Sequence, residues 1–124
     1  MKRATVLLAS ALSLAAQSTP IACNLKAIPA NERARYNDLT KSLRNAARDL
    51  RELPEGYAIQ LDGSKMSLRE AADWIAYERL CCPFLKFELS VSGKDTNWTL
   101  VMTGPDGTKA VLQAEFSVKG AQPK

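Results

Sequence analysis

The chain has 124 residues, of which 46% are hydrophobic and 24% are charged. These proportions are those of an ordinary globular protein and exclude a disordered chain. The length suffices for one domain, and a core built from about 100 residues folds without a metal or disulfide as an obligatory support. Histidine is absent, which excludes Ser–His and Cys–His catalytic pairs and imidazole metal ligands.

The net charge predicts no nucleic-acid partner. The whole chain carries 17 basic and 13 acidic residues, a net charge of +4. Without Lys2 and Arg3, 15 basic residues remain against the same 13 acidic ones, which leaves +2. Recognition of nucleic acid calls for a concentrated basic face, whereas acidic and basic residues alternate along the predicted helices.

The amino-terminal segment predicts an exported protein. Lys2 and Arg3 precede an uncharged run over 4–16 that is rich in Ala, Leu and Ser. A membrane-spanning helix needs about 20 apolar residues, so this run is too short for one and is typical of a cleavable signal peptide over 1–18. We therefore expect a periplasmic or secreted protein with no stable membrane anchor.

The first element of the predicted domain, which covers 22–116, is a helix that begins near Pro29, since proline is tolerated in a first turn. Its apolar stripe at helical spacing consists of Tyr36, Leu39, Leu43, Ala46, Ala47 and Leu50. The sequence Pro54-Glu55-Gly56 ends this helix and turns the chain. Apolar and polar residues then alternate over 57–61, which predicts a half-buried strand.

A second helix is predicted from Ser67 to about Cys81. Ser67 and Glu70 have the spacing of a capping box, in which both side chains satisfy free amide groups of the first turn. Pro83 ends the helix because proline disfavours helical geometry in the residue before it. Two adjacent cysteines, Cys81 and Cys82, therefore lie at the carboxyl end of this helix.

The segment after Pro83 predicts a hairpin. Residues 84–91 alternate between apolar and polar side chains, as do residues 98–103, and Gly93 lies in the stretch between them. A period of two is typical of half-buried strands, and the short connection indicates that the two strands pair antiparallel.

A helix over 108–116 completes the predicted domain. It follows a turn over 104–107, and residues 117–124 show no pattern and are predicted to form a flexible tail. The sequence therefore predicts an α+β fold in the order α-β-α-β-β-α. Its small antiparallel sheet of about three strands is expected to carry the helices on one face.

Two motifs of the chain are distinctive, namely E-R-L-C-C-P-F over 78–84 and T-G-P-D-G-T-K over 103–109. They resemble the E-R-x-C-C-P-F core and the T-G-P-x-G-x-K turn of a group of small bacterial proteins of unassigned function. The segments A-C-N-L over 22–25 and L-P-E-G-Y over 53–57 are similar to that group as well. The resemblance implies one domain that begins near Cys23, and it supplies no function.

The three cysteines, Cys23, Cys81 and Cys82, are the main chemical lead, and three interpretations stay open. One is plain packing, since free cysteine is among the most buried residue types. Another is a disulfide from Cys23 to Cys81 or Cys82 in an oxidising compartment, which leaves one thiol unpaired. The third is a site for a soft metal ion, such as Cu(I), Hg(II), As(III) or Zn(II), that uses all three sulfurs.

The surroundings of the adjacent cysteines favour metal binding in one respect and oppose it in another. Pro83 releases Cys82 from helical geometry, which lets both sulfurs point the same way. The carboxyl end of a helix is the negative end of its dipole and opposes thiolate formation, unless the Arg79 side chain reaches the sulfurs. Glu78 and Arg79 are therefore supporting residues of the candidate site, although the pattern favours an ordinary surface position for both.

We expect a non-enzymatic exported thiol protein that binds a soft metal ion through Cys81 and Cys82, with Cys23 as the third ligand. The alternative is a structural or interaction module with a Cys23 disulfide, a buried thiol and no ligand. An enzyme with Cys82 as nucleophile would lack a histidine base, and its thiolate would depend on Arg79 alone.

Overall fold

The structure is a computed structural model that describes residues 21–116. The predicted signal peptide over 1–18 and the predicted tail over 117–124 lie outside the described residues. The described chain contains α-helices and one four-stranded antiparallel sheet, which confirms the α+β class. None of the helices between residues 21 and 116 has the length and apolar character needed to cross a membrane.

The first helix is shorter than the sequence predicted. Two short 3₁₀ helices, Leu25–Ala27 and Ala30–Glu32, lead into α1, which is Arg33–Ala46. The predicted apolar stripe is buried as far as Ala46, and Thr40 is buried with it. The last residues of the predicted helix belong to a different element.

That element is a strand, so the prediction of three strands is wrong. β1, Ala47–Leu53, turns at 54–55 and pairs antiparallel with β2, Gly56–Asp62. Periodicity alone could not separate the two outcomes, because Leu50 fits both a helical stripe and a half-buried position in an edge strand. Pairing gives hydrogen-bond partners to the backbone groups along one side of β2, which a longer α1 would leave free.

The later elements agree with the sequence-based bounds to within two residues. They are α2 (Leu68–Cys81), β3 (Lys86–Ser90), β4 (Asn97–Thr103) and α3 (Thr108–Phe116). The Ser67 hydroxyl accepts a hydrogen bond from the Glu70 amide at 3.1 Å and donates one to Glu70 Oε1 at 3.2 Å. Ser67 therefore caps α2 as predicted, whereas the Glu70 carboxylate bonds the Ser67 hydroxyl and not a backbone amide. The observed order of elements is α-β-β-α-β-β-α.

The strand order in the sheet is β1-β2-β4-β3, and every neighbouring pair is antiparallel. One face of the two central strands is buried, through Tyr57, Ile59, Leu61, Leu100 and Met102. These side chains share a single core with the apolar sides of α1, α2 and α3. The core packing brings the carboxyl end of α2 next to the amino-terminal segment, α1 and α3, and this junction holds the cysteines.

Candidate functional site

The amino-terminal segment is fastened to the carboxyl end of α2. Asn24 donates its backbone N–H to the Cys81 carbonyl at 2.8 Å, which gives a partner to a carbonyl group that a helix end otherwise leaves free. The Asn24 side chain accepts a hydrogen bond from the Lys26 amide at 3.1 Å and so caps the first 3₁₀ helix. Ile28, a few residues on, is fully buried. These contacts hold Cys23 against the adjacent pair.

The structure brings the three sulfurs together, and two of them are bonded. Cys23 and Cys82 form a disulfide, with their Cα atoms 4.5 Å apart, and Cys81 is a buried free thiol. Cys82 follows the last helical residue and has a non-helical backbone, as expected before Pro83. The Sγ atoms of Cys81 and Cys82 lie 3.5 Å apart, so the adjacent pair points to one side.

Glu78 is the buried acid of the site, and its predicted surface position is wrong, since it is 0% exposed. Its Oε1 lies 3.2 Å from Cys82 Sγ, and its Oε2 lies 3.7 Å from Cys81 Sγ. The Tyr36 hydroxyl donates a hydrogen bond to Oε2 at 2.6 Å. Glu78 thus forms one wall of the cysteine cluster.

A second carboxylate, Glu115, comes from α3. Its Oε2 lies 3.1 Å from Cys23 Sγ and 3.7 Å from Cys82 Sγ. Ligand atoms of Cys23, Glu78, Cys82 and Glu115 all lie within 4.8 Å of one another. The ion pairs that the described residues form involve other acids, so neither of these two carboxylates has a Lys or Arg partner there. Sulfur and carboxylate oxygen therefore converge without a neutralising cation.

Burial sets the proton affinity of these groups. Burial first, and then the negative charge of Glu115, raise the pKa of Glu78 from 4.5 to about 8, although the Tyr36 hydrogen bond opposes the shift. Burial and the charge of Glu78 raise the pKa of Cys81 from 9.0 to about 12. Burial and the hydrogen bond to Glu78, followed by the charge of Glu78, raise the pKa of the Tyr36 hydroxyl above its ordinary range. In the disulfide-bonded protein, the site therefore holds protons at neutral pH.

The two supporting residues predicted from the sequence have different positions. Glu78 faces the sulfurs, whereas Arg79 is exposed and makes no hydrogen bond or ion pair with them within residues 21–116. Adjacent helical residues diverge by about 100°, so the burial of one turns the other towards solvent. Arg79 consequently gives no electrostatic support to a thiolate in this arrangement.

Sequence reasoning did not identify Tyr36 and Glu115 as site residues. The sequence pattern places Tyr36 only in the apolar stripe of α1, and Glu115 belongs to no recognisable motif. A signal did exist for Glu78, because it shares a helical stripe with the buried Ala71, Trp74 and Cys81. An acid on such a stripe is costly without a partner, and this cost would have pointed to a buried site.

No protein-family model, curated protein or solved structure matches the chain significantly. The resemblance to small bacterial proteins with an E-R-x-C-C-P-F core stays a prediction. The fold and the site define a small α+β domain whose amino-terminal segment is joined by a disulfide to a carboxylate-lined cysteine cluster.

Proposed function

We propose that the reduced form of this exported protein binds a thiophilic divalent metal ion through Cys23 and Cys82, with Cys81 as a third sulfur. The observation that carries the proposal is the convergence of three sulfurs and two carboxylates at one place. Thiolates suit soft and borderline ions, and a carboxylate oxygen completes a four-coordinate shell around Zn(II).

The charge of the site supports a cationic ligand. Glu78 and Glu115 have no Lys or Arg partner in the described part of the chain, so nothing there neutralises them when they ionise. A bound cation would supply that neutralisation and would also stabilise the thiolate form of the cysteines. Binding would then release protons, as it does wherever ligands must be deprotonated.

The disulfide makes metal binding conditional on reduction. While Cys23 and Cys82 are bonded to each other, neither sulfur is a thiolate, and the thiolate is the form that binds metal. Two electrons and two protons convert the bond into two thiols, and only then are three sulfurs free to bind an ion. Under this proposal the protein binds a metal ion only after its disulfide is reduced, and it is not an enzyme.

Titration with Cd²⁺ tests the proposal. The protein is reduced with a phosphine, which is then removed without oxygen, and the ultraviolet charge-transfer band of the metal–thiolate bond is followed as Cd²⁺ is added. We expect one tightly bound Cd²⁺ per reduced chain and no band for the oxidised protein. The reduced Cys81→Ser/Cys82→Ser variant should bind weakly. Equal and weak binding by the two reduced proteins would contradict the proposal.

A matched pair of glutamate variants tests the carboxylate contribution. Glu78→Gln should weaken Cd²⁺ binding by roughly tenfold, because the amide removes a negative charge next to the sulfurs. Glu88→Gln changes an exposed residue of β3 and should leave the affinity unchanged. The same affinity in both variants would exclude Glu78 from the metal site.

The alternative function is a structural or interaction module without a ligand. The Cys23–Cys82 bond and the full burial of Cys81 favour it, since together they leave no exposed thiol among residues 21–116. The number of free thiols in protein isolated from its native compartment distinguishes the two functions. One thiol that reacts only after unfolding supports the module, and three thiols that metal protects support the metal site.

A further inference from the structure

A groove of about 720 Å³ opens beside the disulfide, between the amino-terminal segment, α1 and α3. Cys23 is half-buried and lines this groove, whereas Cys81 and Cys82 are fully buried. Thiol–disulfide exchange depends on which sulfur the incoming thiol can reach. Within the described structure, Cys23 is therefore the sulfur that a molecule in the groove meets first.

The lining of the groove indicates the charge of its occupant. Apolar side chains line part of it, and two cations from α1, Lys41 and Arg44, line it as well. Neither cation forms an ion pair with an acid of residues 21–116. Arg44 donates a hydrogen bond to the backbone carbonyl of Glu115 at 2.8 Å, and Glu115 is the one acidic residue of the lining, so two cations stand against one acid there. The groove suits a small molecule with an anionic group and a short apolar part.

We propose that this groove admits a small anionic thiol that exchanges with the disulfide at Cys23. The incoming thiolate forms a new S–S bond to Cys23 Sγ, the Cys23–Cys82 bond breaks, and Cys82 leaves with the electron pair as a thiolate. A second molecule of the thiolate then attacks the first one, which releases their symmetrical disulfide and leaves Cys23 as a thiolate. Two small thiols are oxidised, and one protein disulfide is reduced to two thiols.

Cys81 takes no part in this exchange, although its sulfur is only 3.5 Å from Cys82 Sγ. It is fully buried, and a disulfide between adjacent residues would strain the backbone. The exchange has a consequence for the metal site, since it would release the sulfurs that the proposed function requires. The exchange itself needs no metal ion and is tested without one.

The test compares three small thiols of different charge. Oxidised protein is mixed with 3-mercaptopropionate, 2-mercaptoethanol or cysteamine in the presence of a metal chelator, quenched with acid and analysed by peptide mass spectrometry. We expect the first mixed disulfide at Cys23. At equal thiolate concentration, the anionic thiol should react roughly tenfold faster than the cationic one. An adduct at Cys81 or Cys82, or equal rates for the three thiols, would overturn the inference.

Charge variants assign the preference to the groove. Lys41→Gln/Arg44→Gln should abolish the advantage of the anionic thiol. The matched control, Lys65→Gln/Arg69→Gln, removes two exposed cations that do not line the groove. This control should retain the rate advantage of the anionic thiol. An advantage that survives in Lys41→Gln/Arg44→Gln would refute the role of these two residues.

The failures of the two proposals are distinguishable. A protein that exchanges at Cys23 but binds no Cd²⁺ after reduction contradicts only the proposed metal function. A protein that binds Cd²⁺ after phosphine reduction but gives no mixed disulfide with any of the three thiols contradicts only the exchange.

Discussion

At Glu78 a carboxyl group has exchanged its water shell for protein contacts. Its neighbours are the Tyr36 hydroxyl at 2.6 Å, Cys82 Sγ at 3.2 Å and Cys81 Sγ at 3.7 Å. One strong donor cannot replace the hydration of a charged carboxylate, so burial favours the protonated form. The protonation of this single residue therefore couples the site to the stability of the domain.

We expect the oxidised protein to lose stability as the pH rises from about 4.5 to about 8. The pKa of Glu78 is raised from 4.5 in its ordinary state to about 8 in the folded protein. Between these values the folded state binds more protons than the unfolded state, so the free energy of unfolding falls with rising pH, in total by on the order of a few kcal/mol. Below and above this pH range, Glu78 has the same protonation state in the folded and the unfolded protein, so it adds no further pH dependence. Urea unfolding across this pH range measures the slope.

Glu78→Gln isolates this contribution. The amide cannot titrate, and its oxygen can still accept the hydrogen bond from Tyr36. The variant should therefore show a flatter pH dependence than the original protein between pH 4.5 and 8. Parallel pH profiles for the two proteins would show that Glu78 does not hold its proton.

The Thr40 hydroxyl links the buried side chain of Trp74 to the backbone of α1. It accepts a hydrogen bond from Trp74 Nε1 at 3.1 Å and donates one to the Tyr36 carbonyl at 2.9 Å. We expect Thr40→Val to lower the free energy of unfolding by about 1–3 kcal/mol, because it keeps the shape but leaves the Trp74 N–H without its partner. Thr96→Val, at an exposed position, is the control for urea unfolding. Similar losses in both variants would argue against the hydrogen bond as the cause.

At the scale of elements, β2 is the strand on which the sheet depends, since β1 pairs with one side and β4 with the other. Its first residue, Gly56, has a close neighbour in β4. A Cβ atom at this position would lie 1.8 Å from the Met102 carbonyl oxygen. Any larger residue would force the two strand backbones apart, so the need for glycine here is steric.

We expect Gly56→Ala to destabilise the protein by about 1–3 kcal/mol, the usual cost of overpacking a rigid environment. Gly93→Ala is a matched control in the connection between β3 and β4, where a Cβ would meet no atom within 4 Å. Its effect should stay within about 0.5 kcal/mol, as for most surface substitutions. Thermal unfolding of both variants measures the difference, and equal shifts would contradict the steric explanation.

At the scale of the whole molecule, the disulfide joins two residues that are 59 positions apart. It closes a loop that contains α1, β1, β2 and α2, and it ties the amino-terminal segment to the end of α2. A cross-link of this kind restricts the unfolded chain and thereby stabilises the folded one. The same bond controls the proposed metal site, so stability and binding should change together on reduction.

We expect reduction to lower the free energy of unfolding by about 2–4 kcal/mol in the absence of metal. Cys23→Ser should reproduce the loss, and adding a reductant to that variant should have no further effect. Urea unfolding with and without a reductant measures both. An unchanged midpoint on reduction of the original protein would show that the bond adds no stability.

Local patterns in the sequence were enough to predict α2, the β3–β4 hairpin and α3. Ser67 with Glu70 marks the start of α2, Pro83 marks its end, and a period of two marks the strands of the hairpin. These signals act within a few residues, through backbone geometry and hydrogen bonds that neighbours along the chain supply. They place the adjacent cysteines at a helix end without any knowledge of the fold.

Only the tertiary structure decided where α1 ends, that β1 follows it, and most of the site. Leu50 fits a helix or an edge strand, and pairing with β2 chose the strand. Cys23 is 92 positions from Glu115, yet the packing of α3 brings their side chains to 3.1 Å. The same packing determines that Cys23 bonds to Cys82 and not to Cys81, and that Glu78 is buried. Periodicity reports on which face of an element is apolar, and it carries no information on which distant face will cover it.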